Sequence, residues 1–439
     1  MSIRIIHGDA RDLSALKNGS IHCVATSPPY LGLRSYLAKD DPRKALEIGT
    51  ERTPEQYIGA LVDVFRETRR VLRDDGSMWL NLGDCYSGAP PGNARPDHSG
   101  NDRTGTRGTQ GTSAAALVKR PSSRGLPSKN LLLMPHRVAL ALQADGWIVR
   151  AAIPWVKATC MPESVTDRPT TAHETVFLFA KSERYFTDPD AVRVPGSSTS
   201  HGGKPIEGGA KQAAIGQQVG GRMGIPASLA GRNIRTSDLF DAGLDAYQRA
   251  LAEQAAHVAH VRANGGMLLS QDGDPLALLV NPVPSTYKHF AMWPPDLVKP
   301  MIMFSTPEAG VCAACGAPRK RIVERSRYPR GKTSHRGESA WAAGAATRND
   351  VDLTRSGQEF NRWKRDNPDR LMGWEATCSC LAAAIPATVL DPFGGTGTTA
   401  RVAEDLGRDS VIVELDGKSV QIAEERTAQA GLLGRAVGL

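Results

Sequence analysis

Three groups of residues in this sequence have types and spacings that could do chemistry. The first is Thr26-Ser27-Pro28-Pro29-Tyr30, which brings together a hydroxyl, an aromatic ring and two carbonyls beside prolines that cannot donate. Oxygens placed this way accept the N–H hydrogens of a planar amino group while the ring stacks on its face; an ordinary Pro-Pro turn closing a strand is the plainer reading. The second is Asp391-Pro392-Phe393-Gly394-Gly395-Thr396-Gly397-Thr398-Thr399-Ala400. Glycines there let a ligand approach the backbone and a helix N-terminus, whose free N–H groups favour an anion. Gly395-x-Gly397-x-x-Ala400 fits the dinucleotide fingerprint, and Val411-Ile412-Val413-Glu414 follows as a strand ending in a carboxylate placed to accept both hydroxyls of a ribose. An ordinary nicotinamide-binding unit explains this half but not the Ser-Pro-Pro-Tyr stretch. The third group is Cys312-Ala313-Ala314-Cys315 with Cys378-Ser379-Cys380. Four thiolates are the set a tetrahedral structural zinc ion takes, although the second pair is closely spaced and the gap of about sixty residues is long; free thiols clustered by chance are the alternative.

Strands and helices must carry these groups. Ile3-Arg4-Ile5-Ile6-His7 reads as a strand, with Asp9 after it as a cap for the next segment. Ile21 to Ala25 is an apolar run of the kind that forms a buried parallel strand. Thr53-Pro54-Glu55-Gln56 opens a helix whose Tyr57, Leu61, Val64, Phe65, Thr68, Val71 and Leu72 share a face; Asp75-Gly76 ends it and Ser77 to Leu82 returns as a strand. That is a strand–helix–strand unit of doubly wound type. Further on, the pattern predicts a helix from Asn130 to Asp145-Gly146 and a strand over 147–157. Thr175 to Ala180 and Tyr185-Phe186-Thr187 are expected to form a hairpin at the sheet edge, Ser237-Asp238 to cap a long helix to about Arg262, and Pro295-Asp296 to open a helix towards Phe304.

Composition narrows the class. The 439 residues can bury a sizeable core, and 40% hydrophobic content makes the chain globular. A net charge of +8 and a pI near 9.2 favour a polyanionic partner, although a solvated surface would show the same excess. The stretches 86–130 and 193–236 are Gly- and Arg-rich without apolar period and are expected as basic, mobile insertions. No signal peptide or apolar run of about 18 residues is present, so a soluble, cytoplasmic protein is expected, and seven cysteines do not suggest a disulfide framework. Cys23, Cys85 and Cys160 read as reduced thiols.

Together, Ser27-Pro28-Pro29-Tyr30 and Asp391 to Thr399 resemble the two signatures of the S-adenosylmethionine-dependent DNA amino-methyltransferases, the cytosine-N4 and adenine-N6 family. The catalytic motif precedes the cofactor motif, which is similar to the β-class order with target recognition between the two. Pro162 to Pro169 with His173-Glu174 also looks like the family's central block, where Glu163, Asp167, Arg168 and Glu174 serve equally well as salt bridges and caps. The resemblance implies an α/β fold, a doubly wound, Rossmann-like methyltransferase sheet in permuted order, to which the residues themselves add basic insertions and a small zinc-binding insertion. It implies a catalytic half over 1–189, target recognition over 190–285 and a cofactor half over 286–311 and 381–439, and it leaves the cysteine-paired insertion over 312–380 unmatched. It further implies catalysis at Ser27, Pro28, Pro29 and Tyr30, and S-adenosylmethionine held by Asp9, Phe290, Asp391, Phe393, Gly394, Gly395, Gly397, Thr398 and Glu414. Cys312, Cys315, Cys378 and Cys380 would hold zinc. Double-stranded DNA is the implied partner, and a cognate restriction endonuclease is compatible with it. A motif beginning with Ser leans towards cytosine N4, with adenine N6 as the alternative.

Overall fold

The computed structural model describes residues 1–88, 126–157, 167, 168, 171, 173–192, 267–269, 275–279, 293–326, 363 and 366–436. Its strands are β1 Ile3–His7, β2 Ile21–Thr26, β3 Leu72–Leu82, β4 Ile148–Val156, β5 His173–Ala180, β6 Met267–Leu269, β7 Pro275–Leu279, β8 Val311–Cys312, β9 Arg319–Glu324, β10 Arg370–Ala376, β11 Ala384–Ile385, β12 Thr388–Asp391 and β13 Asp409–Glu414. The helices are α1 Pro54–Val71, α2 Met134–Ala144, α3 Pro295–Ser305, α4 Thr398–Asp405 and α5 Gly417–Ala436. Two compact units share the chain: one comprises residues 1–188, 280–320 and 376–439, the other 189–279 and 321–375.

In the first unit the strands lie in the order β1-β13-β12-β2-β3-β5-β4. The run from β1 to β3 is parallel, as the apolar character of β2 and β13 requires, while β5 is antiparallel to both β3 and β4. β12 and β13, from the far end of the chain, are thus inserted between β1 and β2. Helix α1 forms where the capping pattern places it: Thr53 Oγ1 accepts from Gln56 N at 3.3 Å, and Pro54 occupies the first turn. Its buried face is Tyr57, Leu61, Val64, Phe65, Thr68 and Val71. Each fully buried large apolar side chain there contributes about 1.5–3 kcal/mol, so this face rather than the cap holds the helix to the sheet. Helix α3 is tied beneath β3, its Ser305 Oγ accepting from Trp79 Nε1 and meeting Ser77 Oγ, both at 2.8 Å.

Three boundary expectations are corrected. The first helix ends at Val71, and β3 begins at Leu72 rather than after Asp75-Gly76. Helix α2 begins at Met134 rather than Asn130 because Leu133 is left-handed (φ 53°) and the Met134 N–H is taken by the remote Asp84 carboxylate at 2.9 Å. The hairpin partner of β5 is β4; residues 185–187 form no strand, and Phe186 N instead donates to Asp75 O at 2.8 Å. β5 therefore lies inside the sheet, not at its edge.

The second unit holds the antiparallel pair β6–β7 and most of the two-stranded sheet of β9 and β10. Arg325 binds Asp190 and Asp369 there, and Arg321 lies over the Trp374 ring at 4.5 Å. The long helix expected over 237–262 lies outside the described residues, as do Cys160, Glu163 and Phe290 and most of the two basic insertions.

Candidate active site

Both motif loops leave the sheet at one seam. From β2 the chain winds through α1 to β3 in one direction, and from β12 through α4 to β13 in the other, so strand order reverses between β2 and β12. In open α/β sheets such a reversal leaves a crevice outside the carboxyl ends of the strands. A buried clasp fastens the two loops across it. Thr26 Oγ1 donates to Asp391 Oδ1 at 2.7 Å, Phe393 N donates to the same oxygen at 3.0 Å, and Thr399 Oγ1 donates to Oδ2 at 2.6 Å. Burial pushes the Asp391 carboxyl up to about 6, with those donors working in the other direction.

One cavity is lined by both loops. Gly8, Asp9 and Ala10 contribute to it, as do Ser27, Pro28, Pro29 and Tyr30, then Leu33, Arg34, Tyr36 and Leu37, and Glu47, Pro392, Phe393, Gly395 and Glu414. Asp391, Gly394, Gly397 and Thr398 do not line it but support it from behind. A Cβ on Gly394 would lie 2.6 Å from Ile412 Cβ, and Gly397, at φ 82°, is the turn that starts α4.

The Ser-Pro-Pro-Tyr loop is held by side chains. Tyr57 Oη donates to the Pro29 carbonyl at 2.8 Å. Tyr30 Oη donates to Glu174 Oε2 at 2.6 Å and accepts from Asn81 Nδ2 at 2.8 Å; the same amide reaches Glu174 Oε2 at 2.9 Å and Ser27 Oγ at 3.3 Å. Lys157 pairs with the other oxygen of Glu174. Burial, reinforced by the Glu174 charge, keeps the Tyr30 phenol well above its ordinary pKa, so it remains a neutral donor. The Tyr30 ring lies against Gly83, where a Cβ would come within 2.4 Å of it. Among the described residues the Pro28 carbonyl has no hydrogen-bond partner. Glu174 is therefore structurally tied to Tyr30, whereas Asp167 pairs with exposed Lys129 and Arg168 lies over the Tyr86 ring at 4.2 Å.

On the other side of the seam the backbone does the holding. Gly395 N and Asp416 N each donate to the Glu414 carboxylate at 2.8 Å. Burial nevertheless raises that carboxyl to about 7, with the Asp416 and Asp391 charges adding to the rise. Asp9 caps its own turn, as its place after β1 suggests, and binds Arg11 at 2.7 Å, which also donates to the Leu46 carbonyl. Glu47 is buried and organises the third wall by accepting from Ser35, Tyr36 N, Leu37 N and Lys44.

The cysteines converge elsewhere in the same unit. The sulfur atoms of Cys312, Cys315, Cys378 and Cys380 all lie within 4.8 Å of one another. Backbone N–H groups of Cys315 and Ala314 hold the Cys312 thiol down to about 6, whereas the Cys315 and Cys378 thiols push Cys380 up to about 12.

A DNA methylase family profile matches residues 21–313 and 385–425, taking in both loops and the strands that carry them. The chain belongs to this DNA methylase family. Among curated relatives, the type II methyltransferase M.XycI of Xanthomonas campestris pv. cyanopsidis is 44% identical over 193 residues, which is 44% of this chain and 58% of the relative. M.Cfr9I of Citrobacter freundii is 42% identical over 191 residues, 43% of this chain and 58% of the relative. The matched stretches thus span less than two thirds of these relatives' lengths. A solved PvuII DNA methyltransferase (cytosine-N4-specific) aligns over 97% of this chain and 86% of its own at 13% identity, with a TM-score of 0.45. The methylase match leaves out 314–384, the interval that carries the second cysteine pair.

Residues missed from sequence are Asn81, Glu47 and the phenol of Tyr57. Asn81 sits in an apolar strand and Glu47 in an irregular loop, so no motif singled them out. Tyr57 was read only as a core residue of the helix face.

Proposed function

We propose that this methylase transfers a methyl group from S-adenosylmethionine to the exocyclic N4 amine of cytosine, flipped out of duplex DNA. The observation that carries the reading is the Thr26–Asp391–Thr399 clasp, which sets an amine-accepting loop and a ribose-accepting carboxylate into one cavity.

The donor set suits the cofactor. Glu414 has two oxygens, each holding one backbone N–H and retaining lone pairs for ribose hydroxyls, while Phe393, Val413 and Leu415 give apolar walls for an adenine. Bound there, S-adenosylmethionine supplies an electrophilic methyl group on sulfur. Ser27 Oγ and the Pro28 carbonyl accept the two amine hydrogens, which directs the nitrogen lone pair away from the loop. Tyr30 offers its ring to the base while its phenol stays fastened to Glu174 and Asn81. Because Ser27 and the cofactor loop are fixed before substrates arrive, the in-line approach is set by the scaffold rather than by binding. Cys23 does not attack a ring carbon in this scheme: it is buried between β12 and β3, and burial pushes its thiol up to about 12.

Cytosine is preferred over adenine because the motif begins with a single hydroxyl rather than an amide or carboxylate. Digestion of methylated DNA to nucleosides followed by mass spectrometry tests it. N4-methylcytosine is expected; N6-methyladenine moves the assignment to adenine, 5-methylcytosine overturns the mechanism, and unmodified DNA overturns the activity.

A further inference from the structure

We infer that Cys312, Cys315, Cys378 and Cys380 form a structural zinc site that acts as a clasp, closing the long excursion over 313–377 at its base and fixing that base to the start of β3. In tetrahedral thiolate coordination, bonds of about 2.3 Å place sulfur atoms about 3.8 Å apart, and the four sulfurs here already lie within 4.8 Å of one another. Two features of the backbone show that the cluster is a built site. Gly316, immediately after Cys315, is left-handed at φ 70° and its N–H returns to the Cys312 carbonyl at 2.8 Å, so the first pair sits on a tight turn whose N–H groups point at the Cys312 sulfur. Leu381, immediately after Cys380, is also left-handed at φ 53°, and its side chain is fully exposed. A leucine in that conformation with nothing to pack against is strained, and a bond network on the neighbouring sulfurs is what would hold it there.

The clasp is joined to the core on two sides. β8 and β11 pair antiparallel, Ala384 opposite Cys312, and Ala313 N donates to the Ala383 carbonyl at 2.9 Å. Arg73, near the start of β3, donates from Nη1 to the Cys315 carbonyl at 2.8 Å while Asp75 holds its Nε at 2.8 Å. A Cβ on Gly316 would meet the Arg73 guanidinium at 2.4 Å. Sulfur cluster, knuckle turn and β3 are therefore one continuous set of contacts. A metal there ties Cys312 and Cys315 to Cys378 and Cys380 at the point where the chain re-enters the sheet just ahead of β12.

Elemental analysis of the full chain purified without chelator is expected to give about one zinc per chain, and a thiol-blocking reagent should release it. Cys380→Ser should reduce the metal content at least tenfold, while Cys85→Ser leaves it unchanged. Hydrogen exchange should quicken over 311–318 and 376–385 in Cys380→Ser. Arg73→Ala should retain zinc yet quicken exchange over 311–318, which separates the docking from the coordination. Zinc-free protein that exchanges as slowly as protein given zinc would overturn the inference, as would intact mass showing disulfides between these cysteines, or iron as the bound metal. None of these readouts depends on methyl transfer.

Discussion

The loops after β2 and β12 occupy equivalent places at the ends of neighbouring parallel strands, yet they are built on opposite plans. The β2 loop is stiffened by two prolines and fastened from outside by Tyr57, Asn81 and Glu174, so it presents a hydroxyl and a carbonyl to the cavity. The β12 loop is stiffened by close backbone approach, with Gly394 against Ile412, and it presents main chain whose Gly395 N–H holds the Glu414 carboxylate at the end of β13. A loop that must direct an amine needs a few fixed acceptors. A loop that must accommodate a large cofactor needs room, which only glycine leaves.

That contrast can be broken at each loop separately. The largest effect is expected at Ser27: Ser27→Ala should lower the methylation rate about 100-fold with cofactor and DNA affinities nearly intact, because the contact matters at the transition state; single-turnover kinetics beside binding titrations check it. Next, Glu414→Ala should weaken S-adenosylmethionine by about 1.5–3 kcal/mol in calorimetry with the fold retained, since the lost contact is to a charged acceptor. Tyr30 sharpens the comparison through two substitutions. Tyr30→Ala should raise the DNA requirement by about 1–3 kcal/mol through lost stacking. Tyr30→Phe should leave that requirement alone and cost about 1–2 kcal/mol of stability in denaturant titration, because Glu174 loses a buried donor.

The smallest effect is a pH dependence that belongs to the β12 side. Glu414 titrates at about 7 in the fold against an ordinary value of 4.5. Between those values the folded chain binds a proton that the unfolded chain does not, so this group's contribution to stability is fully present below the ordinary value and is lost as pH rises through about 7. Cofactor binding runs the other way, because ribose hydroxyls need the ionised acceptor. Affinity should rise about tenfold from pH 6 to pH 8 and level off above, and Glu414→Gln should abolish that rise.

Much of this architecture is written in local pattern. The face of α1, the strands β1, β2 and β13, and the two motif loops depend on neighbours close in sequence, where periodicity and glycine or proline chemistry are decisive. What is not written locally depends on remote partners. Asp84 delays the start of α2 from across a long interval, β5 pairs with an earlier strand rather than the adjacent segment, and Asp391 turns out to clasp Thr26 instead of facing the cavity. The converging sulfurs lie between these cases: the pairs are visible, but their meeting requires the fold. No helix among the described residues is long and apolar enough to cross a membrane.

The insertion of β12 and β13 between β1 and β2 has a consequence for synthesis. Made from its N-terminus, the chain produces β1 and β2 early, but their sheet partners β13 and β12 emerge only after residue 387. Until then both strands present open hydrogen-bonding edges, and β2 is apolar on both faces. Completion of the sheet is consequently a late, long-range event, of the kind that folds slowly and leaves nascent chains open to mispairing. Ribosome-bound chains of this protein should lean on chaperones until β12 and β13 have been released.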